Sequence, residues 1–309
     1  MGDMPVETGR PAQCRDEFGA RFERAMITVL VLISAFLHAA WNALLKREDD
    51  KDRALIAAVA IGGLLAIAVA TVRAAAGGEV PFPTLPSFGW ALVAGGFEQL
   101  YFAGLARALD RGPLGPVYTI SRGGAVVVVY PLSVLLFHEF VTGRSLAGSA
   151  LVVLGLVLSG LRIGRTPGRA MTSSATVLAI GCACAIAAYH LAYKAALEAG
   201  GASSAVFAAS LTFATAINIV RSGPLGRRAI AALVRKSWPR ITLMGCLCGG
   251  SFLLLIEALA TGGAGYALTL RNTSVLFAVG LAWMIGERPR FAPALGAAFV
   301  AAGAIAMSL

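Results

Sequence analysis

Met26-Ile-Thr-Val-Leu-Val-Leu-Ile-Ser-Ala-Phe-Leu-His-Ala-Ala-Trp-Asn-Ala-Leu-Leu45 is a run of twenty residues with one ionisable group, His38. At about 1.5 Å per residue, a helix of that length crosses a bilayer's hydrocarbon core of about 30 Å. Comparable runs recur to the end of the chain. They set its composition: 58% of the 309 residues are hydrophobic and 14% are charged, against about a quarter charged in soluble domains. The reading is an all-α integral membrane protein, with lipid as the solvent for most of its surface.

Apolar runs set against charged, proline and glycine breaks predict ten transmembrane helices. They cover 26–45, 54–72, 88–109, 113–137 and 145–161, then 175–197, 203–220, 241–260, 264–285 and 293–309. Residues 1–25 form a polar N-terminal tail expected to be disordered, and Met26 offers an alternative translation start. Residues 26–163 make a first five-helix repeat, 164–174 a linker marked by Gly164, Pro167 and Gly168, and 175–309 a second repeat.

The two repeats match at a nearly fixed offset. Trp41 and Lys46 correspond to Tyr189 and Lys194, Glu139 to Glu287, and Gly148 and Gly155 to Gly296 and Gly303, each pair 148 residues apart. Arg122 falls on Arg271 with one residue more. An odd number of helices per half makes the second half enter the membrane from the opposite side. The expected architecture is therefore two inverted five-helix repeats, a common basis of alternating access.

Phe36-Leu-His-Ala-Ala-Trp-Asn-Ala-Leu-Leu-Lys46 opens the first half, and Phe137-His-Glu139 and Ile285-Gly-Glu287 each precede a glycine-rich helix. In these segments the chain resembles EamA-type members of the drug/metabolite transporter superfamily, from Met26 to Leu309. The resemblance implies a ten-helix secondary transporter without a cofactor. It also implies a central cavity lined chiefly by the third, fourth, eighth and ninth helices.

Ionisable groups within apolar helices cost a few kcal/mol each to insert, so they face a cavity or a partner. Glu98, Arg122, Glu257 and Arg271 stand out. Two readings are open for them: substrate-binding groups, or ion pairs Glu98 with Arg122 and Glu257 with Arg271. A guanidinium stays charged and presents a planar fork suited to carboxylate or phosphate. Arg122 and Arg271 therefore favour a small anionic or zwitterionic metabolite, such as an amino acid, organic acid or phosphonate-like solute. Tyr118, one turn before Arg122, adds a hydroxyl on the same face. His38, Trp41 and Asn42, with Tyr189 and His190 in the second half, are expected at a gate or cavity wall, with interhelical hydrogen bonding as the equal alternative. Either Glu98 or Glu257 is the candidate carrier of a coupling proton.

The remaining features exclude more than they assign. Arginine and lysine sit in the connections and not in one groove, which argues for a membrane surface and against nucleic acid. His138-Glu139 would begin a zinc-protease motif, but the position that needs histidine is Thr142, and no other catalytic or metal constellation appears. The glycine pairs Gly148/Gly155 and Gly296/Gly303 suit close helix packing, including a homodimer contact. A flippase for a lipid-linked anionic head group is the alternative function. Connections after odd-numbered helices hold most of the positive charge, including Lys51, Arg53, Arg111, Arg165, Arg227, Arg235 and Arg288. They are thus expected in the cytoplasm of an inner-membrane protein, with both termini outside.

Overall fold

A computed structural model describes residues 10–46, 48–111, 114–160, 172–274, 276–277, 280–281 and 291–308, and nearly all of them are helical. Among the described residues are ten helices: α1 Arg10–Lys46, α2 Lys51–Gly77, α3 Leu85–Arg111, α4 Leu114–Phe137, α5 Gly143–Gly160, α6 Ser173–Glu198, α7 Ser203–Arg221, α8 Gly223–Thr261, α9 Ala264–Arg271 and α10 Phe291–Ser308. Six segments are long and apolar enough to cross a membrane: Ala25–Leu45, Lys51–Gly77, Ile120–Phe137, Ser173–Glu198, Ser203–Arg221 and Gly223–Thr261. Gly143–Leu158 and Leu295–Met307 are apolar but shorter. In α3 the run is interrupted by Glu98, Arg107 and Asp110.

Three expectations need correction. First, α1 begins at Arg10, so residues 10–25 continue the first helix and are not a disordered tail. Their alanine, arginine, glutamate and glutamine are good helix formers, with Glu17 and Arg21 at i,i+4 and Pro11 in the first turn, where it is tolerated. Second, α8 starts at Gly223, well before 241, with non-helical backbone at Ser237 (φ −129°, ψ 31°) just ahead of Pro239. Third, the helix expected over 264–285 is interrupted after Arg271, where Asn272 and Thr273 form a turn.

Glycines set the closest helix contacts. A Cβ added to Gly148 would lie 2.7 Å from the Gly303 carbonyl oxygen, one on Gly303 2.5 Å from that of Gly148, and one on Gly155 2.5 Å from that of Gly296. The backbones of α5 and α10 therefore touch along these faces, as small residues permit in membranes. The faces are filled within one chain, so they are not the homodimer contact expected above. Gly62 on α2 and Gly249 on α8 meet in the same way. Gly155→Ala is expected to destabilise the protein by about 1–3 kcal/mol through overpacking. Gly181→Ala, with nothing within 4 Å, should leave thermal unfolding in detergent unchanged; equal melting of the two variants would contradict the contact. In the Cys-x-Cys pairs Cys182 and Cys248 are buried while Cys184 and Cys246 are exposed, so neither pair turns both sulfurs to one face.

Long-range bonds define the two ends of the bundle. At one end Arg73 of α2 meets Glu257 of α8 and Ser203 of α7, and Ala202 N–H donates to the Pro81 carbonyl (3.0 Å). Glu139, after α4, accepts from the backbone N–H groups of Ala264 (2.5 Å) and Gly265 (3.3 Å). Lys194 of α6 donates to the carbonyls of Leu259 and Gly262, 3.1 Å each. Glu139 thus caps the start of α9 and Lys194 the end of α8, each charge matched to the helix dipole it faces. Glu139 thereby secures a helix of the second half of the chain. Its counterpart Glu287 lies outside the described residues. At the opposite end Arg240 pairs with Glu48, and Thr172 Oγ1 donates to the Arg111 carbonyl (3.2 Å).

Candidate functional site

His38 sits at the centre of a buried polar cluster that draws on several helices. Arg122 from α4 approaches its Nε2. Arg271, at the C-terminus of α9, places Nη2 3.2 Å from its Nδ1, and the Trp41 indole N–H points at the same nitrogen, also at 3.2 Å. At 3%, 5% and 1% exposure, His38, Arg122 and Arg271 are shielded from solvent. Counting rise along the helices puts Arg122 about 12 Å from the start of α4 and Arg271 about 10 Å from the start of α9.

This arrangement has more donors than acceptors. A neutral imidazole has one N–H and one lone-pair nitrogen, and guanidinium and indole groups only donate. Whichever tautomer His38 takes, one ring nitrogen turns an N–H toward a donor. Arg271 makes the deficit plainer. Its Nη2 also donates to Ser251 Oγ (3.4 Å) and its guanidinium carbon lies 4.1 Å from the Phe252 ring centroid, but Nε and Nη1 have no hydrogen-bond partner. No described carboxylate lies within ion-pairing distance of Arg271. The negative end of the α9 dipole offsets part of its charge. The two unsatisfied nitrogens leave donors free for a further acceptor.

Acceptors line the neighbouring wall. His190 directs Nδ1 at the Ile186 carbonyl (2.8 Å), which makes Nδ1 the N–H donor and leaves Nε2 a bare acceptor without a partner. Its ring stacks on Tyr189 at 4.2 Å. Glu98, fully buried on α3, accepts through Oε2 from Tyr193 O–H (3.0 Å) and Ser210 O–H (3.3 Å), while Oε1 has no partner. Arg271 is within electrostatic range of Glu98, Tyr189 and His190.

The structure distributes the expected site residues unevenly. Arg122, Arg271, His38 and Trp41 are brought together, with Glu98, Tyr189 and His190 beside them. Asn42 spends its amide on the His38 carbonyl (2.7 Å), a contact within α1. Glu257 is elsewhere. Only four residues from Thr261, it lies about 6 Å from the end of α8, where Arg73 grips both its oxygens (2.9 and 3.2 Å) and Ser203 donates to it. Neither expected ion pair forms in the form foreseen, since Glu98 bonds to Tyr193 and Ser210, and Glu257 to Arg73. The Tyr118 side chain lies outside the described residues. Ser251 is an unforeseen member; Gln99, Thr273 and Ser274, close in sequence to Glu98 and Arg271, also bury side-chain polar atoms without partners. Asn-Thr-Ser directly after Arg271 was the available signal.

Residues 173–309 match the EamA-like transporter family. In its second half the chain is similar to EamA-like transporters. That half contributes Tyr189, His190, Tyr193, Ser251 and Arg271 to the cluster. One solved crystal structure superposes with a TM-score of 0.70 at 17% identity, covering 91% of this chain and 96% of its own. At that identity it shows the fold alone, shared through most of the chain and not only over residues 173–309. No curated protein sequence matches.

Proposed function

We propose that the chain is a secondary transporter that moves a small anionic or zwitterionic metabolite across the inner membrane by alternating access. The observation that carries the reading is Arg271: a buried permanent charge, with two nitrogens lacking acceptors and no carboxylate partner among the described residues. Substrate binding supplies the missing acceptor. Arg122 holds the other side of His38, and His190 Nε2 is the acceptor for an ammonium or hydroxyl of the same solute. In this reading ten helices cross the membrane as two inverted repeats, and the reciprocal contacts of Gly148 with Gly303 support the symmetry. The Arg73–Glu257–Ser203 contact, which ties α2 to α7 and α8, acts as a latch between halves. A thermal-shift screen of amino acids, organic acids and phosphonates on purified protein tests the class. Stabilisation by an anionic or zwitterionic solute is expected; stabilisation by cations alone would contradict it.

One observation favours the flippase reading as a second possibility. A crevice of about 860 Å³ lies between α2, α3 and α7, lined by apolar groups including Ile67, Phe82, Phe88, Leu92 and Phe213, and it has room for acyl chains. It is separate from the polar cluster. Transport by proteoliposomes of a water-soluble solute, compared with stabilisation by an extracted lipid, separates the two readings.

The distribution of positive charge places the connections after odd-numbered helices in the cytoplasm and both termini outside. A reporter active only in the cytoplasm, fused after Leu309, is expected to be silent; activity there would reverse the orientation.

A further inference from the structure

We propose that the segment from Arg221 to Arg240 is a binding surface for anionic phospholipid head groups of the leaflet in which that end of the bundle sits. This goes beyond the transport reading and needs only that the chain spans a bilayer. The segment carries Arg221, Arg227, Arg228, Arg235, Lys236 and Arg240, and no acidic residue occurs between Glu198 and Glu257.

Its helix is built for a surface. The backbone break at Ser237 separates Gly223–Lys236 from the apolar part of α8. Ile230, Leu233 and Val234, spaced i, i+3, i+4, turn inward and pack against the core. Arg228, Arg235 and Lys236 are exposed on the opposite side, and Arg227, one turn before Ile230, is exposed as well. The helix thus rests its apolar stripe partly on the core and presents a cationic outer face. Beside it Leu225 is 80% exposed and Trp238 63% exposed, and tryptophan favours the head-group level of a membrane.

The level of the segment is fixed by an ion pair. Arg240 binds Glu48, in the connection between α1 and α2, so the break lies where the bundle meets the membrane surface. Its other cations are uncommitted. Arg227 Nε donates to the Gly223 carbonyl of its own helix (3.3 Å), and among the described residues none of Arg221, Arg227, Arg228, Arg235 and Lys236 has a carboxylate partner. At the other end of the bundle Arg73 is held by Glu257 and Glu79, and Lys194 by backbone carbonyls. Among the described residues the uncommitted cationic surface therefore belongs to this end. A row of fixed positive charges at head-group depth complements an anionic leaflet, at roughly fivefold in association per charge before screening by salt.

The test uses the full chain in a neutral detergent, with retained lipid read by native mass spectrometry. Phosphatidylglycerol and phosphatidylcholine of the same acyl chains are titrated separately, with inorganic phosphate as a third arm. The expected result is at least tenfold preferential retention of phosphatidylglycerol. That preference should be lost in the combined variant Arg227→Gln, Arg228→Gln, Arg235→Gln and Lys236→Gln and kept when the three arginines become lysine. Unfolding temperature without lipid monitors the fold, and if the Gln variant does not fold, weakening of the parent's preference at high salt takes its place. Equal retention of the two lipids by the parent would overturn the proposal, as would unchanged preference in the folded Gln variant. Competition by inorganic phosphate at concentrations comparable to the lipid would overturn it too, since it would assign a free-anion site and not a leaflet surface.

Discussion

Arg271→Gln in purified, correctly folded protein is expected to weaken binding of the transported solute roughly tenfold to a hundredfold, the loss of a charge-assisted hydrogen bond of about 1.5–3 kcal/mol. Glutamine inserts into a membrane at lower cost than arginine and could still reach Ser251, so a merely structural role would tolerate it. Arg271→Lys should also impair binding. Lysine keeps the charge, but it cannot lie flat over Phe252 while also directing separate donors at His38, Ser251 and a solute. Isothermal titration with the best solute from the thermal-shift screen reads both variants. Parent-like affinity in both would make Arg271 a packing residue and remove support for an anionic substrate.

Glu98→Gln is expected to abolish accumulation driven by a proton gradient while solute exchange persists. Glu98 belongs to α3 in the first half, and its Oε2 is held by Tyr193 of α6 and Ser210 of α7 in the second. Its other oxygen has no donor facing it, which leaves room for a proton. Any motion of one half against the other changes what surrounds this carboxyl, so protonation and opening are coupled. Glutamine preserves shape and an acceptor but carries no titratable proton. Glu257→Gln should instead loosen the contact with Arg73 and leave coupling in place. Gradient-driven uptake in proteoliposomes compares the two; full accumulation by Glu98→Gln would make the protein an exchanger or facilitator.

Much of the fold was legible because apolar runs of membrane length are hard to mistake. Most helix limits fall within a few residues of those read from charge and glycine breaks. The exceptions have physical causes. Nothing in apolar periodicity separates one long helix from one interrupted after Arg271, because Thr273 and Ser274 are small enough to pass as packing residues. The first part of α8 reads as a charged connection, since its apolar stripe is only Ile230, Leu233 and Val234. Arg122 and Arg271 announce themselves as charges in lipid-length runs. Their approach to one imidazole does not, because it depends on how α1, α4 and α9 pack. Glu257 was misplaced because its partner, Arg73, is 184 residues away and looked like an ordinary end-of-helix cation.

The central claim is that a water-soluble anionic or zwitterionic solute crosses the membrane through the site around Arg271. Counterflow measures this most directly: proteoliposomes loaded with unlabelled solute are diluted into a trace of the labelled form. The account predicts transient accumulation of label by the parent protein and none by Arg271→Gln. Accumulation by Arg271→Gln equal to that of the parent, under the same loading, would contradict it.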